Sequence, residues 1–502
     1  MSSEQLLNLL LSFQPDAPEL RQKRDYDSQV RSFVNQVANI PGQHYQKGAD
    51  TPQDVLELLN PEVNSIAYIY ALHARIFGVG ESKQKGIIPE QLRPGGSIWN
   101  KMEDFLQRFD PVQIRYVGSE WRRLMDCIER IARLMGVPGA AISPIRAGLL
   151  RLDPLSGTFT ITHLQFIRLC LETRSYTAAL PILDNYIHSL PNTLPSVIRE
   201  NLEYSVPGAN HTNSGEYIHV RSGHTEKITL PDIQEYYVLG AMAYIGVHQF
   251  KKAMQFLEHV LVVPVSNNSA NGLMLEAYKK WVLLSCLANG SVKAPPRTAN
   301  GAAMKQVRTA SRAYEALAEA FAQMDNLPKL KAQVNAGKDL WAEDGNTGLV
   351  RELVDQQLKF YVTRLSRTYS AIPVLNIATN LSQTVEQFTQ YLEKLINAGE
   401  LNASIERTNK GQEMVVLRFF LDPTEGPQAK TETQQQQALF EQTQRTNLLA
   451  EQVQSADYRL GLTKEYVEYI KRQNKKAATA GGDTMDTTWD DGMEVDEDLM
   501  GN

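Results

Sequence analysis

The sequence predicts an all-α-dominated chain: a tetratricopeptide-like helical-repeat array, then a winged helix, then a long C-terminal helix. Three observations carry that reading. Apolar residues recur at steps of three and four along most of the chain. Strand-like alternation is nearly absent before residue 400. The one hairpin signature stands directly behind three helical segments.

At 502 residues the chain is too long for one small core and implies two or more packed units. An apolar share of 42% with 22% charged residues fits an ordinary soluble protein. Charge is uneven. The formal net charge is −6, yet 478–502 alone holds eight carboxylates and no Lys or Arg, which leaves about +2 for the body. A nearly neutral body offers no general attraction to nucleic acid. Cys127, Cys170 and Cys286 lie far apart with no CxxC pair, so a disulfide framework is not expected and a reducing compartment fits best. The start, MSSEQLLNLLLSF, lacks a basic n-region and reads as a helix rather than a signal peptide. No apolar run reaches 18 residues, so no membrane-spanning helix is expected.

Taken in order, 1–160 reads as an N-terminal helical region. Within it Trp121, Leu124, Ile128, Ile131 and Leu134 share one helical face. The repeats occupy 161–345. In 163–190 the apolar positions are Leu164, Ile167, Leu171, Leu180 and Leu183. Two segments there resemble each other, RSYTAALPILDNYI and HQFKKAMQFLEHVL, beginning 74 residues apart, or two steps of 37. Each sets an aromatic residue three positions before an alanine: Tyr176 with Ala179, and Phe250 with Ala253. The alanine lets two antiparallel helices approach, and the aromatic ring fills the space beside it. Two unrelated amphipathic helices are the plain alternative. The segment 206–227, rich in Gly, Asn, Ser and His, reads as a long solvated loop between repeats, and 289–301 as a second loop.

The region 346–421 reads as the winged helix. Leu349, Leu353, Leu358 and Val362 mark one helix. A second, around 370–381, carries Ile372, Val374, Leu375, Ile377 and Ala378. The third, capped by Ser382, carries Val385, Phe388, Leu392 and Leu395 and ends at Gly399. Strands at 402–407 and Met414–Phe420 then flank the turn Asn409-Lys410-Gly411. From 430 to 475 a seam of 3.5-residue average period predicts a bundle helix; it includes Leu439, Leu449, Val453, Leu460, Val467 and Ile470. The acidic tail 478–502 cannot bury enough apolar surface to order itself and is expected to be disordered.

No catalytic constellation emerges: the chain has no phosphate-binding glycine loop, no GxSxG, no HExxH and no HxH. His211, His219 and His224 share the 206–227 loop, but they read as solvated loop histidines rather than metal ligands. The three cysteines read as core fillers. No catalytic, cofactor-binding or metal-ligating residue is therefore expected, and no cofactor. A winged helix can bind DNA through its third helix. Here 384–397 carries Glu386 and Glu393 against Lys394 alone, and the wing balances Arg407 and Lys410 with Glu406 and Glu413. That pattern favours protein partners over phosphate.

Helical repeats, a winged helix and a long terminal helix, in that order, resemble the PCI-domain family, with the domain spanning about 235–421 here. NGLMLEAYKKWVLLSCLANGSV (271–292), DGNTGLVRELVDQQLKFYVTRLSRTYSAI (344–372) and GELNASIERTNKGQEMVVLRF are most similar to its signalosome subunit-three members. The likeness covers most of 160–421, while the loops at 206–227 and 289–301 are longer than the family pattern. The resemblance implies a non-catalytic scaffold subunit that supports removal of a ubiquitin-like modifier from cullins, and no enzyme activity of its own. It implies contacts with other signalosome subunits through PCI winged helices and a C-terminal helical bundle, and contacts with cullin–RING ligase components. No nucleic acid and no membrane is expected as a partner, and the location is expected to be nucleus and cytoplasm. Arg407, Lys410, Leu449, Val453, Leu460, Val467 and Ile470 are the candidate interface. A proteasome-lid or initiation-factor subunit, or a nucleic-acid-binding PCI adaptor, are the alternatives.

Overall fold

The computed structural model describes residues 3–472, apart from 24, 47–53, 81–87, 192–207, 212, 265–268, 324, 325, 382, 383, 409–413, 423 and 462–465. Lys410, Ser382 and the acidic segment 478–502 therefore lie outside the described residues. The chain forms two compact units, Met1–Thr193 with Leu202–Leu439, and Leu194–Asn201 with Phe440–Asn502. Single-turn helices carry no number below.

The first unit opens with α1 (Ser3–Leu11), α2 (Tyr26–Ala38), α3 (Ser65–Gly80), α4 (Ser97–Arg108), α5 (Gly118–Leu134) and α6 (Ile142–Leu152). Helix α3 is apolar around most of its circumference and is correspondingly buried, with Ile66, Ile69 and Leu72 fully enclosed. On α5, Trp121, Leu124 and Ile128 are fully buried, but Leu134 is 69% exposed. The expected stripe thus ends one turn early. The reason is the helix end: Gly136 takes φ +70°, and the amide of Val137 donates to the carbonyl of Ala132 at 3.0 Å.

Two helix pairs follow, α7 (Ile161–Glu172) with α8 (Tyr176–Leu183) and α9 (Leu230–Gly246) with α10 (Phe250–Val262). Their turns share one backbone conformation and one closing hydrogen bond. Arg174 and His248, 74 positions apart, both adopt left-handed φ, at +54° and +56°. The next residue closes the turn in each pair: Ser175 N donates to Cys170 O at 2.8 Å, and Gln249 N to Tyr244 O at 2.9 Å. This is the helix-terminating pattern normally reserved for glycine. The array continues through α11 (Gly272–Asn289), α12 (Gly301–Ala310), α13 (Arg312–Ala322), α14 (Leu327–Ala336), α15 (Lys338–Glu343) and α16 (Thr347–Ser366).

In the segment between the pairs, the described residues 208–211 and 213–227 do not form a solvated loop, contrary to their composition. Arg115, from the stretch before α5, donates through one guanidinium nitrogen to the carbonyls of Gly208 (2.6 Å), Ala209 (3.3 Å) and His211 (3.1 Å). Its guanidinium also lies 4.0 Å from the centroid of the Tyr217 ring. Asp27 accepts from the amide of Gly208, Thr225 Oγ1 accepts from the amide of Ile161, and Tyr217, Ile218 and His224 are buried. A Cβ at Gly118 would stand 2.4 Å from His224 Nδ1, so only glycine fits beneath that ring. The segment is a brace between the N-terminal helices and the repeats. The 289–301 stretch does connect α11 and α12 without regular structure.

The winged helix has its own core of Val362, Val374, Ile377, Ala378, Phe388, Leu392, Leu395, Leu401, Ala403, Leu417 and Phe419. Its elements are the end of α16, β1 (Ala371–Pro373), α17 (Val374–Asn380), α18 (Val385–Asn397), β2 (Ala403–Thr408) and β3 (Met414–Phe419). The sheet is antiparallel in the order β1-β3-β2. The helix expected over 370–381 is corrected at its start, because Ile372 pairs with Leu417 in β1 and α17 begins only at Val374. Pro373 suits that switch, since it precedes the helix and donates no amide hydrogen. The cap of α18 is Thr384, whose hydroxyl accepts from Gln387 N at 3.4 Å, rather than Ser382. Gly399 ends α18 with φ +73°. After the winged helix comes α19 (Glu432–Gly461), and 466–472 are also helical.

Candidate interaction site

Strand β2 pairs only with β3 among the described residues, so its outer edge leaves backbone groups open. Arg407 lies on this strand opposite Val415, with its side chain 66% exposed and 3.6 Å from Glu393 of α18. Beside it, Glu406 meets Arg418 at 3.4 Å. The wing is thus a surface of paired opposite charges next to an unpaired strand edge. That suits a complementary protein surface better than a phosphate backbone. Lys410, the other wing cation singled out, lies outside the described residues.

Along α19 and 466–472, Leu449, Val453, Leu460, Val467 and Ile470 are all exposed, as are Leu439, Phe440, Tyr458 and Tyr469. The sequence period puts Leu449, Val453 and Leu460 on one stripe at steps of four and seven. So much exposed apolar surface makes this helix a candidate docking element.

The repeat residues have a packing role. Ala179 and Ala253 are fully buried, while Tyr176 and Phe250 are half-buried. The Tyr176 ring reaches across to α9, where a Cβ at Gly246 would stand 2.5 Å from Tyr176 Cδ2. Further along the array, α11 is joined to the start of α16 by a partly buried polar network. Lys279 Nζ donates to both carboxylate oxygens of Asp344 (2.7 and 2.8 Å), and Tyr314 Oη donates to the same group at 2.7 Å. Asn346 donates to Tyr314 Oη at 2.9 Å and accepts from the buried Lys280 at 3.0 Å. Burial works against ionised Asp344, but Lys279 and Tyr314 hold its carboxyl below the usual range. This network fixes the point where the array hands over to the helix that enters the winged domain. Sequence reasoning missed it, because its members lie on two separate helices and a turn. Only the Asp344-Gly345-Asn346 turn hints at it.

The three cysteines and four of the histidines are engaged in the core, in caps or in turns. Burial pushes the thiols of Cys170 and Cys286 up to about 12, and Cys127 is raised for the same reason. Burial pushes His163 down to about 4 and His224 down to about 3. His163 Nδ1 takes part in the cap of α7, 3.2 Å from the donating amide of Thr160. His219 Nδ1 accepts from Ser222 N at 3.0 Å, and His224 Nδ1 lies 2.8 Å from Ser222 Oγ. His211 stands 3.8 Å from Glu216. The three histidines of the brace are thus tied into it rather than solvated, His224 most deeply. Among the described residues no group of three or more His, Cys, Asp and Glu is placed to hold a metal ion, and no helix is long and apolar enough to cross a membrane.

Comparison with known proteins agrees with this two-part layout. A family model described as COP9 signalosome complex subunit 3, N-terminal helical repeats, matches residues 27–304, and a PCI domain model matches 324–416. The chain is 30% identical over 485 residues to a protein of Emericella nidulans named COP9 signalosome complex subunit 3, with 95% of each chain covered. A Neurospora crassa protein of the same name is 24% identical over 510 residues, covering 98% of each. One from Dictyostelium discoideum is 22% identical over 291 residues, covering 58% of this chain and 61% of its own.

Proposed function

Because this chain belongs to the COP9 signalosome complex subunit 3 family, we propose that it is a non-catalytic scaffold subunit of a signalosome. The observation that carries the proposal is the pairing of subunit-three repeats over 27–304 with a PCI domain over 324–416 in one chain, whose helical array and winged helix are each built on a packed core. In this reading the chain supports removal of the ubiquitin-like modifier from cullins, and so regulation of cullin–RING ligases, by holding other subunits in place. The β2 edge would meet a neighbouring winged helix, and the apolar stripe of α19 would enter a helical bundle. The non-catalytic role is supported by the thiols held protonated in the core and by histidines engaged in caps and turns. Cullin–RING ligase components are the further partners this role requires, and nucleus and cytoplasm the compartments.

Affinity purification of the tagged full-length chain from its own cells, read by mass spectrometry, tests this directly. Recovery of the remaining signalosome subunits in near-stoichiometric amounts is expected. Recovery of lid or initiation-factor subunits in their place would refute it.

A further inference from the structure

Helix α16 is one shaft through two cores. Leu349, Val350 and Leu353 lie in the core of the array, and Val362 in that of the winged helix. Between them stands Gln357, only 1% exposed. Val350, Leu353 and Gln357 follow one another at steps of three and four, so the amide sits where the stripe calls for an apolar side chain. The cause lies on α13, whose last turn leaves carbonyls without intrahelical donors. Gln357 Nε2 donates to the carbonyls of Phe321 and Gln323, both at 3.1 Å, with that of Ala320 at 3.5 Å. Only the nitrogen end of an amide can face three carbonyl oxygens, which fixes its orientation.

The winged helix grips α16 at the same level. Tyr391 Oη of α18 donates to the carbonyl of Asp355 at 3.2 Å, and Lys359 Nζ lies 3.1 Å from Glu400. Phe360 meets Phe321 edge-on at 6.2 Å. The two domains thus hold one two-turn stretch of helix, and its most buried polar contact is the Gln357 amide.

We propose that Gln357 is the coupling residue that makes the helical array and the winged helix behave as one cooperative body. An apolar residue of similar size would leave the end of α13 without its donor and let α16 shift against it, so the winged helix would open separately from the array. This property belongs to the chain alone and holds whatever partners it has.

The test is amide hydrogen exchange on the full-length chain, corrected for intrinsic rates, comparing peptides from α18 and β3 with peptides from α11 and α13. Gln357→Leu should lower protection of the winged helix roughly tenfold relative to the array, the size expected for losing a buried hydrogen-bonded group. Gln357→Glu supplies a second arm that does not depend on how well the leucine variant packs. A protonated glutamic acid can donate to these carbonyls and its carboxylate cannot, so its relative protection should fall between about pH 6 and about pH 9. The Gln357 protein should stay flat over that range. No change in the ratio for Gln357→Leu, equal loss in both domains, or a flat profile for Gln357→Glu would each overturn the assignment.

Discussion

The ring of Tyr176 packs onto the backbone of Gly246, so closely that a Cβ at the glycine would lie 2.5 Å from Tyr176 Cδ2. That contact ties the second helix of one repeat to the first helix of the next. Gly246→Ala should therefore destabilise the chain by about 1–3 kcal/mol, the usual cost of overpacking. In a Tyr176→Ala background the same change should be nearly neutral, since the ring that it strikes is gone. Urea denaturation of the four proteins of this double-mutant cycle checks the coupling.

Phe250 and Ala253 should respond unequally. The Phe250 ring is half-buried, so Phe250→Ala should cost about 1–3 kcal/mol, below the usual range for an enclosed ring. Ala253 is fully enclosed between helices, so Ala253→Arg should cost about 3 kcal/mol or more by forcing volume and charge into the core. Chemical denaturation gives both values.

Stability should fall with acid. His163 and His224 hold pKa values of about 4 and about 3 in the folded chain, below the ordinary value near 6.5. The unfolded chain therefore binds protons first. The stability linked to these groups is fully present above about pH 6.5 and is lost as pH falls toward the folded values, at about 1.4 kcal/mol per pH unit for each histidine. Denaturant midpoints at about pH 7, 6 and 5 measure the slope, and His224→Gln should remove about half of the two histidines' share.

How far the sequence disclosed this molecule depends on how local each cause is. The face of α5 was legible because Trp121, Leu124 and Ile128 lie within a few turns of each other. Strand β1 was not, because Ile372 reads as one more apolar residue before a helix until Leu417, far along the chain, pairs with it. The left-handed turns at Arg174 and His248 gave no signal, since neither is glycine. The brace was misread because the residues that bury it, Arg115 and Gly118, stand about 90 positions earlier in sequence than the segment they hold. In the candidate site, the periodic seam singled out Leu449, Val453 and Leu460, and the structure finds all three exposed. The network of Lys279, Lys280, Tyr314, Asp344 and Asn346 exists only once two helices and a turn are brought together.

On the wing, Arg407→Glu should leave the isolated chain folded, because the Arg407 side chain is exposed and exposed charge changes usually move stability by no more than about 0.5 kcal/mol. Association with the adjacent subunit should slow, and its salt dependence should change. Binding kinetics at two ionic strengths, with circular dichroism as the folding control, check this.

The central claim is that the chain acts by assembly through exposed surfaces and performs no chemistry itself. Its most direct test compares the tagged wild-type chain with Val453→Asp/Leu460→Asp, two changes at exposed positions of α19. Each protein is purified from cells, its copurifying subunits are quantified, and the complex is assayed on a modified cullin. The wild type should bring down the signalosome with its cullin-directed activity. The double variant should keep its melting temperature and lose both the subunits and the activity. A variant that retains the full complement of subunits, or a wild-type chain that turns over the cullin conjugate after all other subunits are removed, would contradict the account.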